Sequence, residues 1–182
     1  RMVVSLGGSM GSRPFNENIR DFMALHCGDH AFLHVHAAGQ FGIKWLPGEL
    51  AERGITPEAF PLIDVREYIF DKQDVMAAAD LLICRSGAIT LGELAVMGKP
   101  AILIPSPNAT DNHQYYNALA FSKAGAALLL EEKDCTARSM YDAVRALLDD
   151  PKRLAAMHEA ALGLAIFDSA QRIYDNIMTL IR

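Results

Sequence analysis

The sequence predicts an α/β domain built on a doubly wound parallel sheet. Short apolar runs alternate with segments whose apolar residues are spaced as in helices, and no internal repeat is visible. Several runs, such as LLIC at 81–84 and AILIP at 101–105, are apolar throughout. Strands that are buried on both faces of a parallel sheet have this continuous pattern. Such strands, separated by helices, predict a Rossmann-like domain.

The predicted strands are short and rich in aliphatic residues, and six of them follow one another along the chain. Their bounds are Met2–Leu6, Ala31–His36, Val65–Ile69, Leu81–Cys84, Ala101–Ile104 and Ala126–Leu130. In a doubly wound sheet, ligands bind beyond the carboxyl ends of the strands. We therefore expect a site in the segments that follow these strands.

The predicted helices carry the start and stop signals that helices commonly have. Gly98-Lys99-Pro100 and Gly125 are typical stops, and Pro151 suits the first turn of a new helix. The helices are Phe15–His26, Gly48–Arg53, Asp71–Ala79 with Asp71 as its capping residue, Thr90–Met97, Asn112–Ala124, and a helical tail from Thr136 that Asp150-Pro151 interrupts.

The composition of the 182-residue chain is that of a globular protein, and its formal net charge is −5. No cluster of lysines or arginines is present, so no nucleic-acid partner is expected. Cys27, Cys84 and Cys135 are odd in number and lack a CxxC pair, which favours free thiols in the cytoplasm. The chain opens directly on a strand, which favours a fragment of a longer protein.

Two loops have the character of phosphate-binding loops. GGSMGS at 7–12 follows the first strand and RSGAIT at 85–90 follows the fourth, although neither matches a P-loop or GxGxxG. Glycines let the backbone approach a ligand closely, and N–H groups at a helix N-terminus attract anions. Facing each other, the loops can hold a diphosphate through Gly7, Gly8, Gly11, Ser86 and Gly87. The alternatives are a plain strand-to-helix turn, and a helix cap by Ser86 or Thr90.

Three polar residues near the strand ends each allow two interpretations. Glu93 lies three residues after Thr90, so the pair fits a capping box. Alternatively, the Glu93 carboxylate accepts hydrogen bonds from both hydroxyls of a ribose. His113 and Gln114, at the start of another predicted helix, either face solvent or contact a ligand.

Other chemistries have little support in the sequence. The HxH pair of His34 and His36 has no third ligand at a suitable spacing, so no metal site is predicted. Ser86 lacks the GxSxG surroundings of a serine hydrolase. A nicotinamide-dependent enzyme needs an acidic residue after its second strand, where this chain has Ala37 and Ala38.

Three segments in order resemble the C-terminal half of the MurG family of glycosyltransferases. They are GGSMGS, ADLLICRSGAITLGELAVMGKPAILIPSPNATDNHQYYNA at 79–118, and KAGAALLL at 123–130. The resemblance implies a GT-B fold of two Rossmann-like domains. This chain, 1–182, would be the C-terminal domain that binds the donor, UDP-N-acetylglucosamine, and the N-terminal acceptor domain would lie outside it.

The same resemblance implies an activity. The family transfers N-acetylglucosamine, with inversion, to undecaprenyl-pyrophosphoryl-N-acetylmuramyl-pentapeptide, which makes lipid II for peptidoglycan. It implies no metal and no other cofactor, and a full-length protein that lies peripherally on the cytoplasmic face of the bacterial membrane. Because the acceptor groups would be absent, we expect no catalytic residue in this chain, which would bind the donor without turning it over.

The resemblance also implies roles for individual residues. The nucleotide would be held by Ser9 at a phosphate, by the Ile69 backbone at the uracil, and by Glu93 at the ribose hydroxyls. The diphosphate would be bound by Ala88, Ile89 and Thr90, and the hexose by His113 and Gln114. The family more often has Gln-Gln where this chain has His-Gln, so the first hexose contact is a departure.

Two further classes of function stay open at this point. One is another GT-B glycosyltransferase, such as a glycolipid synthase or a donor subunit, which would share the phosphate loops and differ at the sugar. The other is a non-catalytic module that binds nucleotide sugars. Competition between UDP-galactose and UDP-N-acetylglucosamine would separate the first from the family named above.

Overall fold

The computed structural model describes residues 1–181, which form a single parallel sheet flanked by helices. The strand order is β3-β2-β1-β4-β5-β6, and each neighbouring pair is parallel. The strands are β1 Met2–Leu6, β2 Leu33–Ala37, β3 Ile63–Arg66, β4 Leu81–Cys84, β5 Ala101–Leu103 and β6 Ala127–Leu129. The order reverses between β1 and β4, which confirms the predicted doubly wound fold and places the switch point there.

The helices lie on both faces of the sheet. They are α1 Arg13–His26, α2 Gly39–Gly42, α3 Leu46–Glu52, α4 Lys72–Ala78, α5 Ala88–Met97, α6 His113–Lys123, α7 Ala137–Leu148, α8 Pro151–Leu162 and α9 Ser169–Leu180. Short 3-10 turns occupy Cys27–Asp29, Thr110–Asn112 and Glu132–Asp134.

Alternate residues of each strand belong to two separate cores, one on each face of the sheet. On one face, Val3 belongs to a core with residues of α1, α3 and α7, such as Phe15 and Met140. On the other face, Val4 belongs to a core with residues of α4, α5 and α6, such as Met76 and Leu94. Because both faces are covered, β4 and β5 are fully buried, which explains their continuously apolar sequences.

The predicted strands are confirmed in number and order, and the largest error in their bounds is at β3. The strand ends at Arg66, because the chain then leaves the sheet, whereas the sequence predicted an end at Ile69. Ile69 is buried, but in the core of the opposite sheet face from Ile63. Its apolar character therefore reflects that second core and not a longer strand.

The helix starts also differ from the predicted ones, and the capping-box alternative for Thr90 and Glu93 is wrong. Helix α5 begins at Ala88, with Gly87 as the N-cap residue, so Thr90 and Glu93 both lie inside the helix and form no capping box. Asp71 is the N-cap residue of α4, as predicted, although its side chain makes no capping hydrogen bond; its carboxylate lies 3.6 Å from the Arg66 guanidinium.

The short helix α2 and a second break in the helical tail were not predicted from the sequence. The short helix α2 was not expected at all, because four residues are too few for a periodic signal. The tail breaks at Asp150-Pro151 as predicted, with the Asp150 carboxylate accepting from the Arg153 N–H at 3.0 Å. It breaks a second time between α8 and α9, beginning at Gly163.

The loops after β1 and β2 pack backbone against backbone. A Cβ atom added at Gly11 would lie 2.2 Å from the Ala38 carbonyl oxygen, and one at Gly39 would lie 2.2 Å from the Gly11 nitrogen. The Gln40 N–H donates to the Ser9 carbonyl at 3.1 Å across the same contact. Side chains at either glycine would separate the two loops.

Four polar side chains are buried in a row that runs from the end of α1 along β1 and β2. The Ser5 hydroxyl lies 2.8 Å from a ring nitrogen of both His34 and His36, and His26 lies 3.0 Å from His34. Burial lowers the pKa of His26 and His36 from 6.5 to about 4, and that of His34 well below 6.5. The HxH pair thus belongs to a neutral, hydrogen-bonded part of the core.

Gly39→Ala should destabilise the fold more than Gly54→Ala. Both glycines have a positive φ, +76° and +75°, but a Cβ at Gly54 would meet no atom within 4 Å. Gly54→Ala therefore costs backbone strain of about 1–2 kcal/mol. Gly39→Ala adds a backbone clash worth about 1–3 kcal/mol more. Urea unfolding measures both, and equal losses would contradict the loop contact.

The free energy of unfolding should fall between pH 7 and pH 5.5, where carboxylates stay ionised. The unfolded chain binds protons at its histidines near the ordinary pKa of 6.5, whereas His26 and His36 titrate at about 4 when folded. Since the unfolded state then binds more protons, stability falls by about 1 kcal/mol for each histidine.

Chemical denaturation at the two pH values checks this expectation. His26→Phe keeps an aromatic ring beside Phe22 and Phe32 and should weaken the pH dependence. Identical unfolding free energies of the unsubstituted chain at both pH values would show that the three histidines are not held neutral.

Candidate functional site

A cavity of about 330 Å³ opens at the carboxyl edge of the sheet, beside the switch point between β1 and β4. Its lining brings together segments that follow β1, β3 and β4. It includes Gly8, Ser9, Ile69, Lys72, Ile89 and Thr90. The same space is thus bordered by four predicted site residues from distant parts of the sequence, Ser9, Ile69, Ile89 and Thr90. The predicted loop glycine Gly8 borders it as well.

The glycines of the first loop have different structural roles. A Cβ at Gly7 would lie 2.7 Å from the Asn16 side-chain oxygen, and Gly11 contacts the β2 loop. Gly8 has a φ of +84° and open space where a side chain would stand. Of these three glycines, Gly8 is the one that leaves room beside the cavity, since the other two are required by contacts within the protein.

The N-terminus of α5 supplies the opposite wall of the cavity. Gly87 is extended, with φ −68° and ψ 147°, and no side chain of residues 1–181 caps the helix. The N–H groups of Ala88, Ile89 and Thr90 precede the first residue that can bond within the helix. These N–H groups and the helix dipole favour an anion at this position.

Glu93 lies in the second turn of α5 and pairs with Lys72, the first residue of α4. The two side chains are about one-third exposed, at 30% for Lys72 and 35% for Glu93. Sequence analysis identified Glu93 but not Lys72. The available signal was a lysine at the start of the helix that follows the third predicted strand.

Arg85 connects three loops around the cavity and was not singled out from the sequence either. Its guanidinium donates to the Ser12 hydroxyl at 2.7 Å and to the Ile104 and Pro105 carbonyls at 3.1 and 3.2 Å. It also pairs with Glu132, and both side chains are more than four-fifths buried. These contacts fix the loops after β1, β4, β5 and β6 relative to one another.

Ser86 is buried and bonds to another helix. Its hydroxyl donates to the Gln114 carbonyl at 2.7 Å, and the Asn117 amide donates to the Ser86 carbonyl at 3.1 Å. The loop after β4 is thereby joined to the N-terminus of α6. The Ser86 side chain neither caps α5 nor lies free to contact a ligand.

His113 and Gln114 begin α6, outside the 330 Å³ cavity. The Gln114 side-chain oxygen accepts from the Ser106 N–H at 3.0 Å, and the His113 ring lies 2.8 Å from the Thr110 carbonyl. A second cavity of about 480 Å³ lies beside them, lined by Ser106, Asn112 and Glu132 among others. Neither of the two predicted sugar contacts is among the residues that line these two cavities.

Cys84 lines the 330 Å³ cavity, yet its thiol is not activated. Burial raises the pKa of Cys84 to about 12, and burial does the same for Cys135. A thiol must ionise to act as a nucleophile. Neither residue therefore offers covalent chemistry near neutral pH.

Residues 1–181 contain no group of three or more histidine, cysteine or acidic side chains placed to bind a metal ion. Within the same range, no helix has both the length and the apolar character needed to cross a membrane. A cavity of about 390 Å³ lies near the β3 edge, lined mainly by proline and aliphatic residues such as Pro47, Leu50 and Ile63. None of the predicted site residues borders it.

The relatives of this chain are glycosyltransferases. A protein of Acetivibrio thermocellus is 36% identical over the whole chain, which covers 48% of that protein. A protein of Desulforudis audaxviator is 39% identical over 99% of the chain and 47% of its own length. Both are named UDP-N-acetylglucosamine–N-acetylmuramyl-(pentapeptide) pyrophosphoryl-undecaprenol N-acetylglucosamine transferase.

The crystal structure of MurG from Acinetobacter baumannii matches with a TM-score of 0.83 and 28% identity, over 97% of this chain and 49% of that one. A Listeria monocytogenes protein described as a putative UDP-N-acetylglucosamine 2-epimerase shares the fold, with a TM-score of 0.69 and 14% identity.

This chain spans about half the length of the relatives that it matches. The sequence model of the glycosyltransferase family 28 C-terminal domain matches residues 2–173, nearly the whole chain. The resemblance to MurG is confirmed, and the chain belongs to the glycosyltransferase family 28 C-terminal domain family.

Proposed function

We propose that this chain is the donor-binding half of a glycosyltransferase that uses UDP-N-acetylglucosamine. The observation that carries the proposal is the convergence of the GGSMGS loop and the N-terminus of α5 on one cavity. The names of the relatives supply the sugar donor and the acceptor, undecaprenyl-pyrophosphoryl-N-acetylmuramyl-pentapeptide. The product of this transfer is lipid II.

The diphosphate of the donor binds between the two loops in this proposal. Gly8 gives the phosphate oxygens access to the backbone, Ser9 contributes a hydroxyl, and the first turn of α5 contributes N–H groups. Oriented N–H groups at a helix N-terminus stabilise negative charge without a metal ion. The same groups stabilise the charge that develops on UDP as it leaves.

The nucleoside occupies the part of the cavity between α4 and α5. Ile69 is buried beside that space and offers its backbone to the uracil edge. Glu93 is not among the lining residues, but it pairs with Lys72, which is. From this position on α5 its carboxylate accepts hydrogen bonds from the two ribose hydroxyls. The hexose then extends toward His113 and Gln114, which Ser86 joins to the α5 loop.

The acceptor and its base belong, in this proposal, to the half of the protein that this chain does not match. The acceptor hydroxyl forms a bond to the anomeric carbon while the bond from that carbon to the UDP oxygen breaks, which inverts the configuration. The hydroxyl proton passes to a base outside this chain. The complete protein acts at the cytoplasmic face of the bacterial membrane, where its lipid-linked acceptor lies.

Gly8→Ala should weaken UDP binding, with Gly54→Ala as a matched control. Both glycines have a positive φ and open space at the Cβ position, so their backbone strain is similar. Only Gly8 borders the cavity, where a methyl group keeps the phosphate from the backbone. We expect Gly8→Ala to lower UDP affinity by about tenfold, or ~1.4 kcal/mol, and Gly54→Ala to leave it unchanged.

Calorimetric titration of the unsubstituted chain with UDP, UDP-N-acetylglucosamine and UDP-galactose supplies the reference. Binding of the first two, weakened only by Gly8→Ala, is the expected result. A preference for UDP-galactose would instead favour a glycolipid synthase. No binding of any of the three nucleotides would contradict the proposal that this chain holds the donor site.

A further inference from the structure

The ion pair of Lys72 and Glu93 carries an inference about ribose selectivity, which rests on the proposed function. We infer that Lys72 is a positioning residue: its ammonium holds the Glu93 carboxylate in place for the two ribose hydroxyls. A site arranged in this way prefers a ribonucleotide to its 2′-deoxy analogue.

The contact joins the two helices on either side of the nucleoside space. Lys72 begins α4 and lines the cavity, and its Nζ bonds to one carboxylate oxygen of Glu93 on α5. Glu93 is its hydrogen-bond partner among the described residues, 1–181. An ammonium has three donors, so two remain for a ligand or for water.

The chemistry of the pair leaves the carboxylate able to bind a diol. A carboxylate has two oxygens and about four acceptor positions, and Lys72 occupies one of them. The second oxygen and the remaining lone pairs stay available for the hydroxyls. A glutamate that is one-third exposed would otherwise sample several rotamers, so the lysine reduces the disorder that ribose binding must remove.

Among the described residues 1–181, no other cation that lines the cavity has the same freedom to perform this role. Arg85 also lines the cavity, but its guanidinium is engaged by Glu132, by Ser12 and by the carbonyls of residues 104 and 105. The neighbouring acid, Asp71, lies near Arg66 instead of Lys72. Within the described chain, the Lys72–Glu93 pair is therefore separate from the other ion pairs at this edge.

The test compares UDP with 2′-deoxy-UDP by calorimetric titration. Lys72→Met keeps the length of the side chain without its charge, and Lys72→Arg keeps the charge. Lys152→Met, at an exposed position of α8, is the matched control. We expect Lys72→Met to reduce the preference for UDP by about two- to fivefold, the effect of one partly exposed ion pair. Lys72→Arg should retain most of the preference.

Glu93→Gln completes the comparison, because it removes the negative charge of the carboxylate that pairs with Lys72. It should reduce the preference for UDP at least as much as Lys72→Met. A purely structural role of Lys72 would weaken both ligands equally and leave their affinity ratio unchanged. An unchanged or increased ratio in Lys72→Met would overturn the inference, and so would an unchanged ratio in Glu93→Gln.

The failure of the proposed function looks different in the same experiment. If the unsubstituted chain bound neither UDP nor 2′-deoxy-UDP, the donor site itself would be absent and the inference would fall with it. If the unsubstituted chain bound UDP and preferred it, and Lys72→Met behaved like Lys152→Met, the proposed function would stand and the role of Lys72 alone would be rejected.

Discussion

Because the six strands of the described chain pair in parallel, the loops that follow them share one edge of the sheet. The reversal of strand order between β1 and β4 then separates the helices after these two strands, which opens a crevice between them. Gly8 and the start of α5 are more than 70 residues apart in sequence, yet both border the same cavity. The position of the site is thus a consequence of topology.

Charged contacts turn this crevice into an ordered site. The Arg85–Glu132 pair is largely buried and joins loops from four strands, so it limits their movement relative to one another. Buried pairs of this kind contribute geometry more reliably than net stability. The Lys72–Glu93 pair is more exposed and bridges α4 and α5, and its lysine lines the cavity. The Ser86 hydroxyl donates to the Gln114 carbonyl and so joins the loop after β4 to α6.

Much of the fold could be predicted because its signals are local. The continuously apolar sequences of β4 and β5 indicated that these strands are buried, and Gly98 and Pro151 marked helix boundaries. The errors arose where a local pattern had a tertiary cause. Ile69 looked like the end of a strand because it is buried, but it fills the opposite core.

The site was predicted less completely, for a related reason. Its glycine loops and helix N-terminus are continuous in sequence, so Gly8 could be proposed from the residue pattern, whereas the roles of Ser9 and Thr90 came from the resemblance to the MurG family. Lys72 and Arg85 gain their importance from partners far along the chain, at Glu93 and Glu132, which spacing does not reveal. The sequence also could not show that Gly7 and Gly11 are needed for contacts within the protein.

The central claim is that the two loops bind one diphosphate together, and amide chemical shifts measured during titration with UDP test it most directly. The account predicts that the amide signals of Gly8 and Ser9 shift with the same UDP dependence as those of Ala88, Ile89 and Thr90. Shifts confined to the apolar cavity near β3, around Leu50 and Ile63, or to one loop alone, would contradict it.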